Sequence, residues 1–220
     1  MAEQNWYKIG ESVTNTVKNS RTYVDADLSR ICENMSNPQF RELMMRCRDA
    51  AVLLIEKRYK VLLAWKPDEQ KRFKDWFGRN DEVTRRYILD GMPRLLDAVR
   101  GLKPESIFRW DEQTGRGLTC TPAPANSGIM AEVCKPDSDK RIIAIRHRFC
   151  TAYDAFLWTD CKVTTIIHEC THFTDVFDTE DPMYGISIGL TFWAQREPEK
   201  ALKNADSIAG YIAFFNDRLW

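Results

Sequence analysis

The stretch IIHECTHFTDVFDTEDPMYG, residues 166–185, decides how the rest of the chain is interpreted. It contains two of the chain's three histidines, His168 and His172, and it places Glu169 between them. Residues four positions apart project from the same face of a helix, so both imidazoles can contact one metal ion. Glu169 lies about 100° around the helix from His168, too far round to bind the same ion but within reach of a water bound to it.

This spacing is typical of zinc peptidases. In such a site zinc lowers the pKa of its water to roughly 7, and the glutamate removes and later returns the proton. The alternative is an amphipathic helix in which the two histidines occupy ordinary surface or core positions. The apolar residues Val163, Ile166 and Ile167 precede the motif, so the helix is expected to be buried, and buried imidazoles need polar partners. The residues therefore favour a metal site.

A catalytic zinc site takes three protein ligands and keeps a further position open. No third histidine follows at a suitable distance, so the third ligand should be a carboxylate. Asp175, seven residues after His168, shares its helical face but is too far along the helix to bind the ion, and we expect it to hydrogen-bond a histidine instead. Asp181, nine residues after His172, can return to the ion through a short reversing loop. Glu197, on a later helix, is the rival ligand.

The composition of the whole chain narrows the range of partners. Its 220 residues are 44% hydrophobic and 29% charged, as in a soluble globular protein with one sizeable core. The 32 basic residues balance the 32 acidic ones, so no charge excess indicates a nucleic acid, and no apolar run is long enough to span a membrane. We expect a protein or peptide as the substrate and no nucleic-acid or membrane partner. The sequence does not give the oligomeric state, and a monomer is the default.

The sequence predicts helices in the first half of the chain. From Asn37 onward, apolar residues recur at spacings of three and four. Pro67 ends that helix or begins the next, which closes on Gly78. The segment NDEVTRRYILDGMPRLLDAVRG, residues 80–101, is a third helix, which Pro93 is expected to kink or split.

Short β-prone segments follow, separated by glycine, proline, asparagine and aspartate. They are SIFRW (106–110), GLTCTPA (117–123), IMAEVC (129–134) and RIIAIRHRF (141–149). After residue 160 the helical period returns. The order of helices, small sheet and helices predicts an α+β fold that is mainly helical.

This pattern also predicts the domain organisation. Residues 1–36 form an N-terminal segment that is expected to be loosely held, and residues 37–220 form a single domain. Within that domain we expect a helical part, a sheet and the active-site helices, at residues 37–104, 105–150 and 160–220 respectively.

Seven cysteines lie at wide intervals and form no CxxC pair. Their spacing excludes most cysteine-rich zinc modules and thioredoxin-like motifs. We expect mostly free, partly buried thiols and reducing conditions, with one or two disulfides after export as the alternative.

At this point the sequence resembles a known family. HECTHF followed by DTEDPMYG is similar to the HExxH plus GTxDxxYG pattern of the deuterolysin and lysine-specific metalloendopeptidase family, the aspzincins. RIIAIRHRFC resembles the family's strand before the active-site helix, and NADSIAGYIAFF (204–215) and KRFKDWFG (71–78) resemble downstream and upstream elements. The resemblance extends over about residues 40–216. It implies a zincin-like metallopeptidase fold with a small sheet beside the active-site helix.

The resemblance also implies roles for individual residues. His168, His172 and Asp181 would bind one Zn²⁺ per chain, and Glu169 would act as the general base. Tyr184 matches the family tyrosine whose hydroxyl steadies the developing oxyanion, a role that a neutral phenol beside a metal can fill. The alternative for Tyr184 is a packing aromatic in a turn.

The substrate side is predicted in less detail. Asp206 matches the family's acidic position associated with lysine just after the scissile bond, which implies a preference for Lys or Arg there. The alternative is that Asp206 caps the last helix. We expect the substrate to add as a strand along an exposed sheet edge within residues 141–149, with His147 on the surface or in the substrate groove. Asp178 replaces a family glycine, and aspartate tolerates a left-handed backbone better than most residues.

Two functions remain open on the sequence. The first is a zinc endopeptidase, and the second is a non-catalytic module of the same fold that binds zinc and a partner. Every polar group that the mechanism needs is present, which favours the peptidase. No signal peptide is visible. Since known members are largely exported, a secreted enzyme or a delivered effector is favoured over a cytoplasmic one.

Overall fold

The computed structural model describes residues 30–110, 117–121 and 128–214, together with the backbone of two strands at 6–13 and 21–27. The described residues are mainly helical and include one small three-stranded sheet, which confirms the predicted α+β class. None of the described helices is long and apolar enough to cross a membrane.

The two N-terminal strands, which the sequence analysis does not predict, pair antiparallel. Strand β1 (Trp6–Val13) lies beside β2 (Arg21–Asp27), with Trp6 opposite Asp27 and Val13 opposite Arg21. The loose attachment expected for residues 1–36 stays a prediction.

The first long helix, α1 (Asn37–Ala64), has a reciprocal cap at its start. The Ser36 hydroxyl accepts a hydrogen bond from the Gln39 backbone N–H, and the Gln39 side chain accepts one from the Ser36 backbone N–H. The helix stops at Trp65, which has a left-handed backbone (φ 48°).

Two further helices confirm the predicted pattern in this half of the chain. Helix α2 (Pro67–Phe77) ends at Gly78, whose φ of 72° favours glycine. Helix α3 (Glu82–Gly101) is continuous through Pro93, so the proline does not split it.

The small sheet contains β3 (Ile107–Arg109), β4 (Ala131–Val133) and β5 (Ile143–Ile145). Strand β5 lies in the centre, parallel to β3 and antiparallel to β4. No strand occurs within the described part of the predicted segment 117–123.

The substrate edge predicted within residues 141–149 is wrong. Strand β5 has a neighbour on each side, and the chain turns into a short helix, α4 (His147–Thr151), directly after it. The sequence of a short strand shows its β-propensity but not its neighbours, so the order of the sheet is not readable from it. Among the described strands of this sheet, β3 and β4 are the outer ones.

One of the remaining helices is fully buried. This central helix, α5 (Lys162–Thr171), contacts α1, α3, α8 and strand β4, and all ten of its residues are buried. The helices that follow it are α6 (Ile188–Ala194), α7 (Pro198–Leu202) and α8 (Ala205–Ala213).

Helix α8 is fastened to α2 by polar contacts and by close packing. The Arg72 guanidinium donates to the carbonyl oxygens of Tyr211 and Phe214, at 2.6 and 2.8 Å, and so satisfies the end of α8. The Tyr211 hydroxyl donates to Glu69, which also pairs with Arg58 at 2.6 Å.

The structure contains two disulfides, as the alternative expectation allowed, so the expectation of mostly free thiols is wrong for four of the seven cysteines. Cys32 is bonded to Cys150, and Cys120 is bonded to Cys134. The free thiols belong to the buried residues Cys47, Cys161 and Cys170. The bonded cysteines are 118 and 14 residues apart in the sequence. The spacing of cysteines alone does not specify which of them are bonded.

The contact between α2 and α8 gives a stability prediction. A Cβ atom on Gly210 would lie 2.1 Å from Cζ3 of the buried Trp76 ring. We therefore expect Gly210→Ala to lower the free energy of unfolding by about 1–3 kcal/mol, because the closely packed ring cannot move aside without strain. Urea unfolding followed by circular dichroism measures the change.

The matched control is Gly101→Ala at the end of α3, where an added Cβ meets no atom within 4 Å. Its free energy of unfolding should stay level or rise by up to about 1 kcal/mol, because alanine is the better helix former. Equal losses in the two variants would contradict the packing explanation.

Candidate active site

The site is built where α5 ends and the chain reverses. His168 lies in the last turn of α5, and His172 directly follows it. The chain turns through Asp178, which has a left-handed backbone (φ 50°), as the sequence analysis allows for this residue. Its carboxylate pairs with Lys135 at 2.8 Å, so the added charge is matched.

The returning segment is tied to the start of α8. The Glu180 backbone N–H donates to the Lys203 carbonyl at 2.8 Å, and the Ala205 N–H donates to the Glu180 carbonyl at 3.0 Å. This short parallel bridge brings the next residue, Asp181, back over the end of α5.

Three side chains converge at this point. His168 Nε2 lies 3.1 Å from His172 Nε2 and 3.3 Å from Asp181 Oδ1, and His172 Nε2 lies 3.3 Å from Asp181 Oδ2. The structure therefore brings together the two histidines and the aspartate that the resemblance implies as ligands.

Partners on the far side of each ring fix which nitrogen faces the cluster. His168 Nδ1 lies 2.6 Å from Asp206 Oδ1, and His172 Nδ1 lies 3.0 Å from the Thr179 carbonyl oxygen. Both oxygens accept hydrogen bonds, so each Nδ1 carries the proton and donates it. In the neutral imidazoles, the Nε2 lone pairs then face each other and the Asp181 carboxylate.

This donor set fits a zinc ion. In a tetrahedral site with zinc–ligand bonds of about 2.0–2.1 Å, neighbouring ligand atoms lie about 3.3–3.4 Å apart. The observed separations are 3.1–3.3 Å. In addition, Asp181 Oδ1 is buried and has no hydrogen-bond partner among the described residues. An unpaired buried carboxylate oxygen beside two imidazole lone pairs needs a cation.

The pKa shifts of His168 and Asp181 also indicate that the cluster favours a positive charge. Burial alone would lower the pKa of His168, but the carboxylates of Asp206, Glu169 and Asp181 raise it to about 10. At Asp181, burial favours the neutral acid, yet the two histidines outweigh it and hold its pKa below the ordinary value. In the metal-free protein a proton on His168 thus takes the place of a cation.

Glu169 lies beside the cluster without joining it. Its Oε1 is 4.0 Å from His168 Nε2, and only 3% of the residue is exposed. Burial raises the pKa of Glu169, and the neighbouring histidines oppose this only in part. A carboxylate whose pKa is raised in this way accepts a proton more readily near neutral pH.

Tyr184 stands at the exposed rim of the site. Its hydroxyl donates to Asp181 Oδ2 at 3.1 Å. Partial burial and the Asp181 carboxylate raise the pKa of Tyr184, so the hydroxyl stays protonated and remains a donor.

A cavity of about 710 Å³ opens onto these groups. Residues 128–133, which include strand β4, form one wall, and α5 forms the opposite wall. The loop 179–185 and the side chains of Asp160 and Asp206 complete the lining.

Asp175 does not contact a histidine, so that prediction is wrong. Because α5 ends at Thr171, Asp175 is not carried on the helical face of His168, and its carboxylate instead forms a bidentate pair with Arg141. The contact expected of it is made by Asp206.

Both carboxylate oxygens of Asp206 have partners within the protein. Its Oδ1 accepts from His168 and its Oδ2 accepts from the Gly185 backbone N–H at 2.7 Å, while 5% of the residue is exposed. This geometry supports an orienting role of Asp206 on His168. The pairing of Asp206 with a substrate lysine stays a prediction.

The rival ligand Glu197 lies outside the site. It stands at the start of α7, pairs with Lys200 at 3.2 Å and does not line the cavity. His147 is exposed and does not line the cavity either.

The sequence analysis assigns no role to two residues of the site, Thr179 and Asp160. Thr179 contacts His172 Nδ1 through its carbonyl oxygen at 3.0 Å, and its hydroxyl oxygen lies 3.1 Å from the same nitrogen. Its match to the threonine of the family pattern GTxDxxYG is the signal that could have found it. Asp160 lines the cavity from the loop before α5, and a single aspartate in a loop gives no distinctive signal.

Comparison with known proteins identifies the family. Residues 62–213 match the family model described as lysine-specific metallo-endopeptidase, the aspzincins.

The chain belongs to this family.

This aspzincin is therefore a zinc metallo-endopeptidase, which confirms the predicted enzyme class. Among solved structures it is similar to a zinc peptidase from Grifola frondosa, with 20% sequence identity and a TM-score of 0.60. That match covers 80% of this chain and 94% of the other, and it shows a shared fold. No curated protein matches the aspzincin.

The contact between Asp206 and His168 gives a prediction for metal affinity. We expect Asp206→Asn to weaken zinc binding by about 10- to 100-fold, because the neutral amide no longer supports the charge and orientation of the imidazole. Competition with a chromophoric chelator measures the dissociation constant.

Asp175→Asn is the matched control, since that exposed carboxylate pairs with Arg141 outside the site. It should leave the zinc dissociation constant within about twofold of wild type. A similar loss in both variants, or none in Asp206→Asn, would argue against the orienting role.

Proposed function

We propose that this aspzincin hydrolyses peptide bonds at a centre in which His168, His172 and Asp181 bind one Zn²⁺ per chain. The observation that carries the proposal is the convergence of two imidazole nitrogens and an unpaired buried carboxylate oxygen within 3.3 Å, beside a buried glutamate. Zn²⁺, when bound there, supplies a Lewis acid that activates water and polarises the substrate carbonyl.

The remaining protein groups around the ligands hold them in place. Asp206 and the Thr179 carbonyl each accept the Nδ1 proton of one imidazole, which keeps both Nε2 atoms directed at the ion. Such contacts fix the ring orientation before a metal arrives, so less conformational entropy is lost on binding.

Glu169 acts as the general base in this proposal. Its carboxylate takes a proton from the attacking water and delivers it to the leaving amine. Two features support the role: it lies 4.0 Å from His168 Nε2 without occupying a ligand position, and burial raises its pKa.

Tyr184 donates to the oxyanion that develops on the substrate carbonyl. In the substrate-free protein its hydroxyl donates to Asp181, and during the reaction we expect it to exchange that partner for the oxyanion. A neutral donor aimed at charge that appears only in the transition state raises kcat with little effect on substrate binding.

The substrate adds as an antiparallel strand alongside β4. Two features support β4 in place of the edge expected from the sequence: it is an outer strand of the described sheet, and it lines the cavity opposite α5. A strand held there would pass over Glu169 with its backbone fixed by main-chain hydrogen bonds, whatever its side chains.

The proposal includes a preference for Lys or Arg after the scissile bond. The family description, lysine-specific metallo-endopeptidase, supports the choice of lysine. It also places the enzyme in an oxidising compartment, reached by secretion or by delivery as an effector. The two disulfides support this, because such bonds persist mainly outside the reducing cytosol. Thiol labelling of the protein from its native compartment, with seven reactive thiols after denaturation, would contradict it.

The test separates metal binding from catalysis. Glu169→Gln should keep zinc near one per chain, by elemental analysis, and lower kcat/KM for an unfolded protein substrate by about 10²- to 10⁴-fold. Tyr184→Phe should also keep zinc and lower kcat by about 10²- to 10³-fold with a nearly constant KM.

Glu180→Gln serves as the control, because Glu180 is an exposed acid at the cavity whose backbone, not its side chain, forms the bridge to α8. It should cleave within a few-fold of wild type. Wild-type activity in Glu169→Gln would remove Glu169 from the mechanism, and zinc-loaded wild type without any cleavage would refute the proposed function.

A further inference from the structure

Two buried threonine hydroxyls lie next to the second histidine of the cluster. Thr171 is the last residue of α5 and directly precedes His172, and Thr179 lies in the segment that returns to Asp181. Both threonines are fully buried, and their hydroxyl oxygens are 2.7 Å apart. The Thr179 backbone N–H also donates to the Thr171 carbonyl at 3.2 Å. Two contacts between the same pair of residues thus join the end of the helix to the returning segment.

The hydroxyl of Thr171 has a fixed direction as a donor. It lies 2.7 Å from the His168 carbonyl oxygen, which can only accept. That oxygen is open to a side chain because the His172 backbone N–H, its partner in an uninterrupted helix, bonds to the Glu169 carbonyl instead. A hydroxyl group has one hydrogen, so Thr171 must accept at its contact with Thr179. The Thr179 hydroxyl therefore donates to Thr171.

The direction of these bonds decides what Thr179 presents to the imidazole. The one hydrogen of its hydroxyl is directed at Thr171, so only lone pairs of the oxygen face His172 Nδ1, 3.1 Å away. The Thr179 carbonyl oxygen, 3.0 Å from the same nitrogen, is a second acceptor. Two acceptors keep the proton on Nδ1 and leave the Nε2 lone pair for the cluster. A directed hydroxyl chain thus runs from the His172 ring through Thr179 and Thr171 to the His168 carbonyl.

Thr171 takes part in this arrangement only through its neighbours. It does not line the cavity, and the described contacts of its hydroxyl are with Thr179 and with the His168 backbone, not with an imidazole ring. Without the Thr171 hydroxyl, the Thr179 hydroxyl would lose its acceptor in a buried place, which is unfavourable. It could then rotate and donate to His172 Nδ1, and this would favour the tautomer with the proton on Nε2, the nitrogen that has to bind the metal.

We propose that Thr171 is a positioning residue of the metal centre. Its hydroxyl takes up the hydrogen of Thr179, which makes Thr179 an acceptor for His172 Nδ1–H and holds that ring with Nε2 towards the ion. This role rests on the proposed function, in which His172 is a zinc ligand. The hydroxyl chain orients the second histidine as Asp206 orients the first.

The experiment removes the hydroxyl groups one at a time and measures zinc affinity by competition with a chromophoric chelator. Thr171→Val keeps the shape of the side chain and should weaken zinc binding by about 10- to 100-fold. Thr171→Ser keeps the hydroxyl and should bind zinc nearly as tightly as wild type. Thr179→Val breaks the hydroxyl chain from the returning segment and should weaken binding too. The double variant should bind about as weakly as the weaker single variant, because one substitution already breaks the hydroxyl chain.

A spectroscopic measurement separates this role from a general loss of stability. With ¹⁵N-labelled histidine, the chemical shifts of the two ring nitrogens show which of them carries the proton in each of the three histidines. In the metal-free protein at alkaline pH, His172 should carry its proton on Nδ1 in wild type and in Thr171→Ser. In Thr171→Val, the share of the tautomer with the proton on Nε2 should rise.

Thr84→Val is the matched control. It removes the hydroxyl of a buried threonine that donates to Asp81 at the start of α3, outside the cavity, and it should leave the zinc dissociation constant within about twofold of wild type. Circular dichroism of every variant identifies unfolded protein, and where Thr171→Val does not fold, the same comparisons are made with Thr179→Val.

Three results would overturn the positioning role. They are wild-type zinc affinity in the folded valine variants, an equal loss in Thr171→Ser or in Thr84→Val, and an unchanged His172 tautomer in the valine variants. Wild type that binds no zinc would instead refute the proposed function on which this role rests.

Discussion

The whole structure depends on holding two imidazole lone pairs and a carboxylate within 3.3 Å of one another in a buried place. Without a metal ion or a proton on His168 these groups repel, and each unpaired buried polar group costs about 1–3 kcal/mol. The protein must therefore supply the cluster with rigid support from outside. It does so by packing α5 against α1, α3, α8 and β4, while one face of α5 lines the cavity. The same unfavourable electrostatic energy accounts for the affinity of the cluster for a metal ion. A divalent cation removes the repulsion between the ligand atoms and gives each of them a partner.

The support comes mainly from α8. Its first turn carries Asp206, which accepts from His168 and from Gly185, and the bridge just before it holds the backbone that leads into Asp181. The same helix is fastened at its far end by Arg72 of α2 and by the close approach of Gly210 to Trp76. Helix α8 thus helps to position the ligand Asp181, supplies the partner of the ligand His168, and contributes the Asp206 side chain to the cavity lining. A substitution that disturbs the contact between α2 and α8 should therefore weaken metal binding as well as the packing of the core.

The sequence analysis succeeds where the signal is local. The helical spacing of His168 and His172 and the position of Glu169 follow from the period of one helix, and the capping and proline signals locate α1 to α3. Asp181 follows from the resemblance to a family pattern and not from the spacing, which leaves Glu197 open.

Contacts between residues that are distant in the sequence cannot be predicted from local patterns. The order of the sheet depends on which short strands meet, and Asp206 reaches His168 across 38 positions of the chain. The expectation for Asp175 is wrong for a local reason: α5 ends at Thr171, and no Gly or Pro after the motif marks that end.

The most direct test of this account is a crystal structure of the purified protein with anomalous data collected on both sides of the zinc absorption edge. The account predicts a single zinc peak at bonding distance from His168 Nε2, His172 Nε2 and an Asp181 carboxylate oxygen, with Asp206 still on His168 Nδ1. Zinc bound by Glu197 in place of Asp181, or no zinc at these residues in protein that cleaves peptides, would contradict it.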